Sequence, residues 1–344
     1  MKQANVAVVG VGAVGIEMLR CLKQRKFPVK TLRLFGRSAR DITVDGETYK
    51  VEVIGKNSFE GIDIALFAGT EGEKGAAVTY AKAAVKAGAV VIDNGADFRM
   101  KKTVPLVVPE VNRHTIKDNQ GIIANPNCTT IQMLTALNQV HKRFGLKQII
   151  LCSYQAVSGA GKQACIGLMD ETVALGKQNV GTNYETYAKK LEKTSGAFSA
   201  QIAFNVIPQI GGFDDEGFTS EEMKVVHETK KIMGDKKIKV SSTCVRVPVF
   251  GAHSEAVYFV TRENVTREQL EKAFKESEGV CYAEKPEDFA KPLDVEGKDA
   301  TYVSRLRADA QNKNAFWIWV VADNIRKGAA LNAVQIAEDV LKSK

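Results

Sequence analysis

The chain opens with an apolar run at residues 5–10 that leads directly into a glycine-rich turn and then into a helical pattern. The first glycine of GxGxxG permits a tight turn, the second admits a pyrophosphate close to the backbone, and the N-terminus of the following helix attracts negative charge. A tight turn without a ligand is the alternative. In this setting the pattern predicts a parallel sheet and a dinucleotide site formed by Gly10, Gly12, Ala13, Val14 and Gly15.

The first third of the chain alternates strand and helix patterns. Short apolar runs predict further strands at residues 31–36, 62–69 and 89–95, and helical spacing predicts a helix at 79–88. Alternating strands and helices build a parallel sheet with helices on its faces. We therefore expect an α/β fold that begins with a Rossmann-type dinucleotide-binding domain at residues 1–127.

Beyond residue 124 the strand patterns become longer and alternate between apolar and polar residues, which is typical of an α+β domain with a mixed sheet. We assign this domain to residues 128–325, and we expect a C-terminal helix at 326–344 to complete the first domain. Strands are predicted at 147–157, 237–249 and 254–261, and helices at 162–178 and 184–194.

Composition excludes several classes of protein. A chain of 344 residues accommodates two domains, and it contains no apolar run of membrane-spanning length. The first strand pattern begins too early to leave room for a signal peptide, so we expect a cytoplasmic protein. Lysine and arginine exceed the acidic residues by 8 but are scattered among them, which favours an anionic small molecule over nucleic acid. The six cysteines form no CxxC pair, and no metal site is predicted.

The second predicted strand ends without the acidic residue that holds the ribose hydroxyls of NAD. Arg37 and Ser38 stand there instead. A guanidinium group binds phosphate oxygens well, so this pair favours NADP over NAD, with a solvated basic turn as the alternative.

Cys128 is the candidate nucleophile. Pro126 breaks the preceding strand, and residues 129–144 carry a helical pattern. A cysteine at a helix N-terminus has its thiolate stabilised by the helix dipole, so we expect a lowered pKa and raised reactivity. The other five cysteines have ordinary packing contexts.

A cysteine nucleophile usually works with a histidine. His141 and His227 lie on amphipathic helical patterns, whereas His253 follows a strand interrupted by proline and glycine, and we expect its imidazole on a loop. Arg246, on the same strand, suits a substrate carboxylate. By residue type alone, the pairing of Arg246 with His253 is only suggestive.

Together these residues resemble the aspartate-semialdehyde dehydrogenase family along nearly the whole chain. Eight ordered stretches carry the resemblance: residues 96–99 (ADFR), 104–112 (VPLVVPEVN), 125–130 (NPNCTT), 153–161 (SYQAVSGAG), 204–210 (FNVIPQI), 221–224 (EEMK), 246–254 (RVPVFGAHS) and 323–332 (DNIRKGAALN). The resemblance implies NADPH-dependent reductive dephosphorylation of L-aspartyl 4-phosphate to L-aspartate 4-semialdehyde and phosphate, in lysine, threonine and methionine biosynthesis. It also implies a homodimer formed through the second domain, with a tetramer as the alternative.

The resemblance also implies roles for individual residues. Cys128 forms an acyl thioester, His253 acts as acid and base, and Gln155 orients the intermediate. Arg246 binds the substrate α-carboxylate and Glu221 its ammonium group. Arg99, Asn127 and Lys224 bind the substrate phosphate. Arg37 and Ser38 bind the 2′-phosphate of the cofactor, and Ser158, Gly159 and Asn324 contact its nicotinamide half. By spacing alone, Glu221 and Lys224 would be an ordinary helical ion pair.

Two loops differ from the family pattern. The glycine turn at residues 10–15 is one residue shorter than is usual there, and residues 67–73 replace a serine- and glycine-rich loop. These differences bear on cofactor contacts and leave the chemistry unchanged.

Two other functions stay open. N-acetyl-γ-glutamyl-phosphate reductase shares the implied chemistry, but it would show glycine before the cysteine, where Asn127 stands, and its acylated substrate has little use for Glu221. A scaffold that has lost catalysis has no reason to keep Cys128, Gln155 and His253 together.

Overall fold

A computed structural model describes residues 3–69, 75–177, 191 and 194–343. Within these ranges the chain forms two sheets joined by a long central helix. Most of the predicted helix at 184–194 and most of the predicted loop at 67–73 lie outside the described residues. No helix in the described ranges is long and apolar enough to cross a membrane.

The first sheet has seven strands among the described residues, in the order β3-β4-β2-β1-β5-β6-β7. All neighbouring strands are parallel except β3 and β4, which form an antiparallel hairpin at one edge. This part of the chain contains β1 (Ala4–Val9), α1 (Ala13–Gln24), β2 (Val29–Gly36), β3 (Arg40–Val44), β4 (Glu47–Val53), β5 (Ile64–Phe67), α2 (Ala76–Lys86), β6 (Val90–Asp93), α3 (Pro109–Asn112), a 3-10 helix (Arg113–Asp118) and β7 (Ile122–Ala124).

The turn between β1 and α1 depends on two of its glycines. Gly10 has a φ of +94°, which favours glycine, and a Cβ on Gly15 would lie 1.9 Å from the Gly10 carbonyl oxygen. The β3–β4 hairpin was not predicted from the sequence. Its turn residues Asp45 and Gly46 both have positive φ, as a two-residue hairpin turn requires.

The second sheet is mixed, with six strands in the order β11-β12-β13-β10-β8-β9 among the described residues. Only the pairs β8–β9 and β11–β12 are parallel. The elements are α4 (Cys128–Phe144), β8 (Leu146–Gln155), a 3-10 helix (Val157–Ala160), α5 (Lys162–Lys177), α6 (Ser220–Met233), β9 (Lys239–Arg246), β10 (His253–Thr261), α7 (Arg267–Lys275), β11 (Val280–Tyr282), α8 (Pro292–Val295), β12 (Thr301–Ala308), β13 (Ala315–Ala322), a π-helix (Arg326–Ala330) and α9 (Leu331–Lys342).

The helix α4 connects the two sheets, and its side chains are buried from Thr129 to Asn138 and at Val140. One apolar cluster runs from one face of the first sheet through Ile131 and Leu134 to Ile149 on the second sheet. On the other face of the first sheet, α1 packs with Leu331 and Val334 of α9. The predicted fold class, a parallel dinucleotide-binding sheet followed by a mixed sheet, is confirmed.

Candidate active site

Asn127 begins the helix that carries the candidate nucleophile. Its Oδ1 accepts hydrogen bonds from the backbone N–H groups of Thr129 at 3.0 Å and Thr130 at 3.2 Å, so it caps α4. Asparagine is favoured at this position because it satisfies amides that have no partner within the helix. Cys128 is therefore the first residue of α4 and lines a cavity of about 380 Å³.

A buried carboxylate lies beside Cys128, the candidate nucleophile. Glu221 Oε1 accepts hydrogen bonds from Asn127 Nδ2 at 2.8 Å and Gln155 Nε2 at 3.3 Å. Its other oxygen lies 3.5 Å from Lys224 Nζ. All of these residues line the cavity, as does Arg246. The cavity thus joins a thiol, a carboxylate and basic groups suited to a small zwitterion.

The expectation of a lowered Cys128 pKa is wrong. Burial of the sulfur and the negative charge of Glu221 raise the pKa of the Cys128 thiol to about 12. The charges of Arg246 and Arg99 and the backbone N–H of Thr129 lower it by less. The helix N-terminus does favour the thiolate, but desolvation of the charged form outweighs it.

His253 is not on a loop, as the sequence suggested, but is the buried first residue of β10. Its Nδ1 accepts a hydrogen bond from the backbone N–H of Ala156 at 3.0 Å, while Nε2 has no partner among the described residues. Burial and the charge of Arg246 hold the His253 pKa well below its usual value. The imidazole is therefore neutral, with its proton on Nε2.

His253 lies against Gly159, which lines the cavity, and is not itself among the described residues that line it. A Cβ on Gly159 would lie 3.3 Å from His253 Nε2 and 3.2 Å from Arg246 Nη1. Arg246 Nη1 also donates to the carbonyl oxygen of Ala156 at 2.6 Å. The absence of a side chain at Gly159 thus leaves room in front of both groups.

The three residues with an implied phosphate role, Arg99, Asn127 and Lys224, all line the cavity. Arg99 Nη1 forms a buried ion pair with Glu228 Oε1 at 3.0 Å, and its Nη2 donates to the Asn94 carbonyl oxygen at 2.8 Å. Glu228 was not singled out in the sequence. The sequence feature that could have identified Glu228 is its position seven residues after Glu221, which places both carboxylates on one face of α6.

A groove of about 900 Å³ opens beside the cavity, and Val14, Ala68 and Gly159 line both spaces. Among the predicted cofactor residues, the groove is lined by Gly10, Gly12, Ala13, Val14, Gly15, Arg37, Ser158 and Gly159.

Two predicted cofactor residues do not line this groove. Ser38 lies outside it and accepts a hydrogen bond on Oγ from Arg40 Nη1 at 3.3 Å. Asn324 lines the neighbouring cavity and hydrogen-bonds Ser158 Oγ.

The groove fits a dinucleotide. Gly12 precedes α1 without a side-chain cap, so the first amides of α1 remain available for a pyrophosphate. A Cβ on Gly12 would have no neighbour within 4 Å, so there is open space above the turn. The fold and the two adjoining spaces define a dinucleotide-binding enzyme with a cysteine in the cavity beside the groove.

Comparisons with known proteins agree with this class of enzyme. The family described as "Semialdehyde dehydrogenase, NAD binding domain" matches residues 5–119, and "Semialdehyde dehydrogenase, dimerisation domain" matches residues 137–327. The chain is 45% identical to the aspartate-semialdehyde dehydrogenase of Bacillus subtilis, over 98% of this chain and 97% of the relative. It is 44% identical to that of Aquifex aeolicus, over 98% of each chain. The chain belongs to the aspartate-semialdehyde dehydrogenase family of enzymes, which confirms the predicted resemblance.

Solved structures show the same relationship. The crystal structure of aspartate semialdehyde dehydrogenase II from Vibrio cholerae matches with a TM-score of 0.90 at 43% identity, covering 99% of both chains. The Candida albicans enzyme, at 21% identity and a TM-score of 0.73, shares the fold. The fold, a nicotinamide-binding domain and a dimerisation domain are thus common to this chain and the family.

Proposed function

We propose that the chain reduces L-aspartyl 4-phosphate with NADPH to L-aspartate 4-semialdehyde and phosphate, through a thioester on Cys128. The observation that carries this proposal is the cavity in which Cys128, Glu221, Arg246 and Arg99 meet beside the dinucleotide groove. A second crystal structure of the Vibrio cholerae enzyme, at 43% identity to this chain, is of that enzyme complexed with ASA. The same ligand suits the charges of this cavity.

Each charged part of the substrate has a partner of opposite charge. Arg246 binds the α-carboxylate, and Glu221, held by Asn127 and Gln155, binds the ammonium group. Arg99 and Lys224, with the Asn127 amide, bind the phosphate. With these contacts made, the acyl carbon lies within reach of the Cys128 sulfur, and Gln155 orients the carbonyl.

The covalent steps balance without a further reactant. The Cys128 sulfur attacks the acyl carbon, the bond from carbon to phosphate oxygen breaks, and the thiol proton leaves with the phosphate. A reduced nicotinamide held in the groove beside Ser158 and Gly159 would supply the hydride for the thioester carbonyl. The resulting oxyanion reforms the carbonyl and expels the sulfur as a thiolate. One proton from solvent, delivered through a transient His253 imidazolium, reprotonates the thiolate and returns the imidazole to its neutral form. This is the one proton that the overall reaction consumes.

We infer that the cofactor is NADP, because Arg37 lines the groove at the end of β2, where NAD-binding chains carry an acid. The 2′-phosphate then contacts Arg37, with Ser38 beside it. The nicotinamide half lies toward Ser158, Gly159 and Asn324, next to the cavity.

We also infer a division into residues 1–127, completed by 326–344, and residues 128–325, which form a homodimer. The packing of α9 against α1 supports the first part. Exposed Tyr154, Phe204 and Phe213 on the second part support an interface between two copies. Sedimentation equilibrium would distinguish a dimer from a monomer or tetramer.

The reaction is tested by following NADP reduction with aspartate semialdehyde and phosphate, for the native protein and Cys128→Ser. We expect turnover that requires phosphate and disappears in the variant, while the variant keeps its circular dichroism spectrum and binds NADPH. Turnover by Cys128→Ser would exclude the thioester. A folded native protein that binds NADPH but gives no turnover would exclude the reaction.

A further inference from the structure

One face of α6 serves both the substrate and the segment that carries Arg99. Glu221 and Lys224 line the cavity, whereas Glu228 and Lys231, one to three turns further along the helix, contact the Arg99 segment. Residues at these intervals project from the same side of a helix. The helix therefore connects the phosphate side of the cavity to the substrate ammonium side.

Glu228 uses both carboxylate oxygens. Oε1 accepts a hydrogen bond from Arg99 Nη1 at 3.0 Å, and Oε2 accepts one from the backbone N–H of Asn127 at 2.7 Å. Both the Arg99 and Glu228 side chains are more than nine-tenths buried. A buried ion pair with this geometry holds the guanidinium group in one orientation, so that it does not rotate toward other hydrogen-bond acceptors.

Lys231 holds the backbone of the same segment. Its ammonium group donates to the carbonyl oxygens of Arg99 at 2.5 Å, Lys101 at 2.9 Å and Val104 at 2.8 Å. The three N–H donors of the Lys231 ammonium group thus meet three carbonyl oxygens within residues 99–104. Side chain and backbone of Arg99 are both attached to α6, at residues three positions apart.

We propose that Glu228 and Lys231 are positioning residues that orient Arg99 for the phosphate of the substrate. This inference rests on the proposed function, because it takes the anion at Arg99 to be the reacting phosphate. A pre-oriented guanidinium group loses little conformational entropy when the phosphate binds. More of the interaction energy between Arg99 and the phosphate therefore contributes to binding. Neither residue touches the substrate.

Two effects of Glu228→Gln, the loss of a negative charge and the loss of Arg99 orientation, predict opposite changes in phosphate affinity. The substitution removes a negative charge beside Arg99, which by Coulomb attraction alone would strengthen anion binding. It also places an amide NH₂ where two N–H donors now find acceptors, so one of the two contacts must break. If orientation dominates, phosphate binding weakens by about tenfold, the usual value of one charged hydrogen bond.

The test measures KM for phosphate, for aspartate semialdehyde and for NADP in the native protein, Glu228→Gln and Lys231→Met. We expect the phosphate KM to rise about tenfold in each variant while the other two KM values stay within about twofold. Lys230→Met is the matched control. Lys230 neighbours Lys231 on α6, and no hydrogen bond joins it to residues 99–104 in the described chain, so its phosphate KM should not change.

A second measurement does not depend on turnover. Phosphate is titrated against alkylation of Cys128 by iodoacetamide, and the protection midpoint reports its binding. A midpoint that is unchanged or lower in both variants would overturn the positioning role. If Glu228→Gln does not fold, Lys231→Met decides the question, and Lys231→Arg should restore binding in part. Loss of turnover with phosphate in the native protein would instead refute the proposed function.

Discussion

Gly328 lies directly against Cys128: a Cβ at Gly328 would be 2.7 Å from the Cys128 Cβ and 3.2 Å from its Cα. Gly328 belongs to the π-helix Arg326–Ala330, a form often found at functional sites. Gly328→Ala should therefore push the start of α4 away from the substrate. We expect the free energy of unfolding to fall by about 1–3 kcal/mol and kcat to fall at least about tenfold, measured by urea unfolding and steady-state kinetics.

The matched control is Gly176→Ala on α5, where an added Cβ would have no neighbour within 4 Å. Alanine in a helix is favoured over glycine, so this variant should keep full activity and gain about 0.5–1 kcal/mol. Equal effects at Gly328 and Gly176 would contradict the close-contact explanation.

The reactivity of Cys128 should depend on Glu221. Since burial and the Glu221 charge raise the Cys128 pKa to about 12, the thiol is protonated at neutral pH. Alkylation of Cys128 should keep rising with pH beyond the ordinary thiol value of about 8.5, without a plateau there. Glu221→Gln removes the negative charge, lowers the pKa and should accelerate alkylation at any given pH below it.

Peptide mass spectrometry would follow each cysteine separately, with exposed Cys281 as the internal reference in the same digests. The Cys281 rate should be the same in the native protein and Glu221→Gln. Slower alkylation of Cys128 in Glu221→Gln would show that the carboxylate does not oppose the thiolate.

A buried ion pair holds the π-helix in place. Both oxygens of Glu110 lie 2.8 Å from Lys327 Nζ, which also hydrogen-bonds Asn332 and Gln335. Glu110→Gln leaves a buried ammonium without its counter-ion, so we expect a loss of about 3–5 kcal/mol in the free energy of unfolding at neutral pH. Glu47→Gln, which breaks the exposed pair with Lys23, should have no measurable effect.

The effect of Glu110→Gln should also depend on pH. Burial raises the pKa of Glu110, but the charge of Lys327 and its hydrogen bonds outweigh burial, and the pKa is lowered. The contribution of Glu110 is therefore fully present above its unfolded pKa of about 4.3 and is lost as pH falls through its lower folded value. Urea unfolding at a series of pH values should show that the difference in free energy of unfolding between the native protein and Glu110→Gln becomes smaller on acidification. A difference that grows on acidification would contradict a lowered Glu110 pKa.

Arg37 should decide the choice of cofactor. If its guanidinium binds the 2′-phosphate, Arg37→Ala raises the KM for NADP by about tenfold or more and leaves the KM for NAD nearly unchanged. NAD, which lacks that phosphate, is the internal control within the same variant. Equal changes for both cofactors would place Arg37 elsewhere on the dinucleotide.

Local sequence patterns accounted for strands β1, β2, β5 and β6 of the first sheet and for the start of α4. The strand, glycine turn and helix at residues 4–24 are specified by neighbours in the chain, because the turn geometry itself requires Gly10 and Gly15. The same is true of Asn127, which caps the helix that begins at Cys128. The β3–β4 hairpin and strands β11, β12 and β13 were not predicted, since short strands depend on pairing with distant partners.

The sequence by itself therefore determined the fold class, the glycine turn and the place of Cys128 at the start of a helix, because each depends on contacts within a few residues. Only the tertiary structure decided that Glu228 reaches Asn127 and Arg99, which are 101 and 129 residues away. It also decided the direction of the Cys128 pKa and the burial of His253 on a strand. These properties depend on desolvation and on charges brought together from distant segments, and a local pattern contains neither.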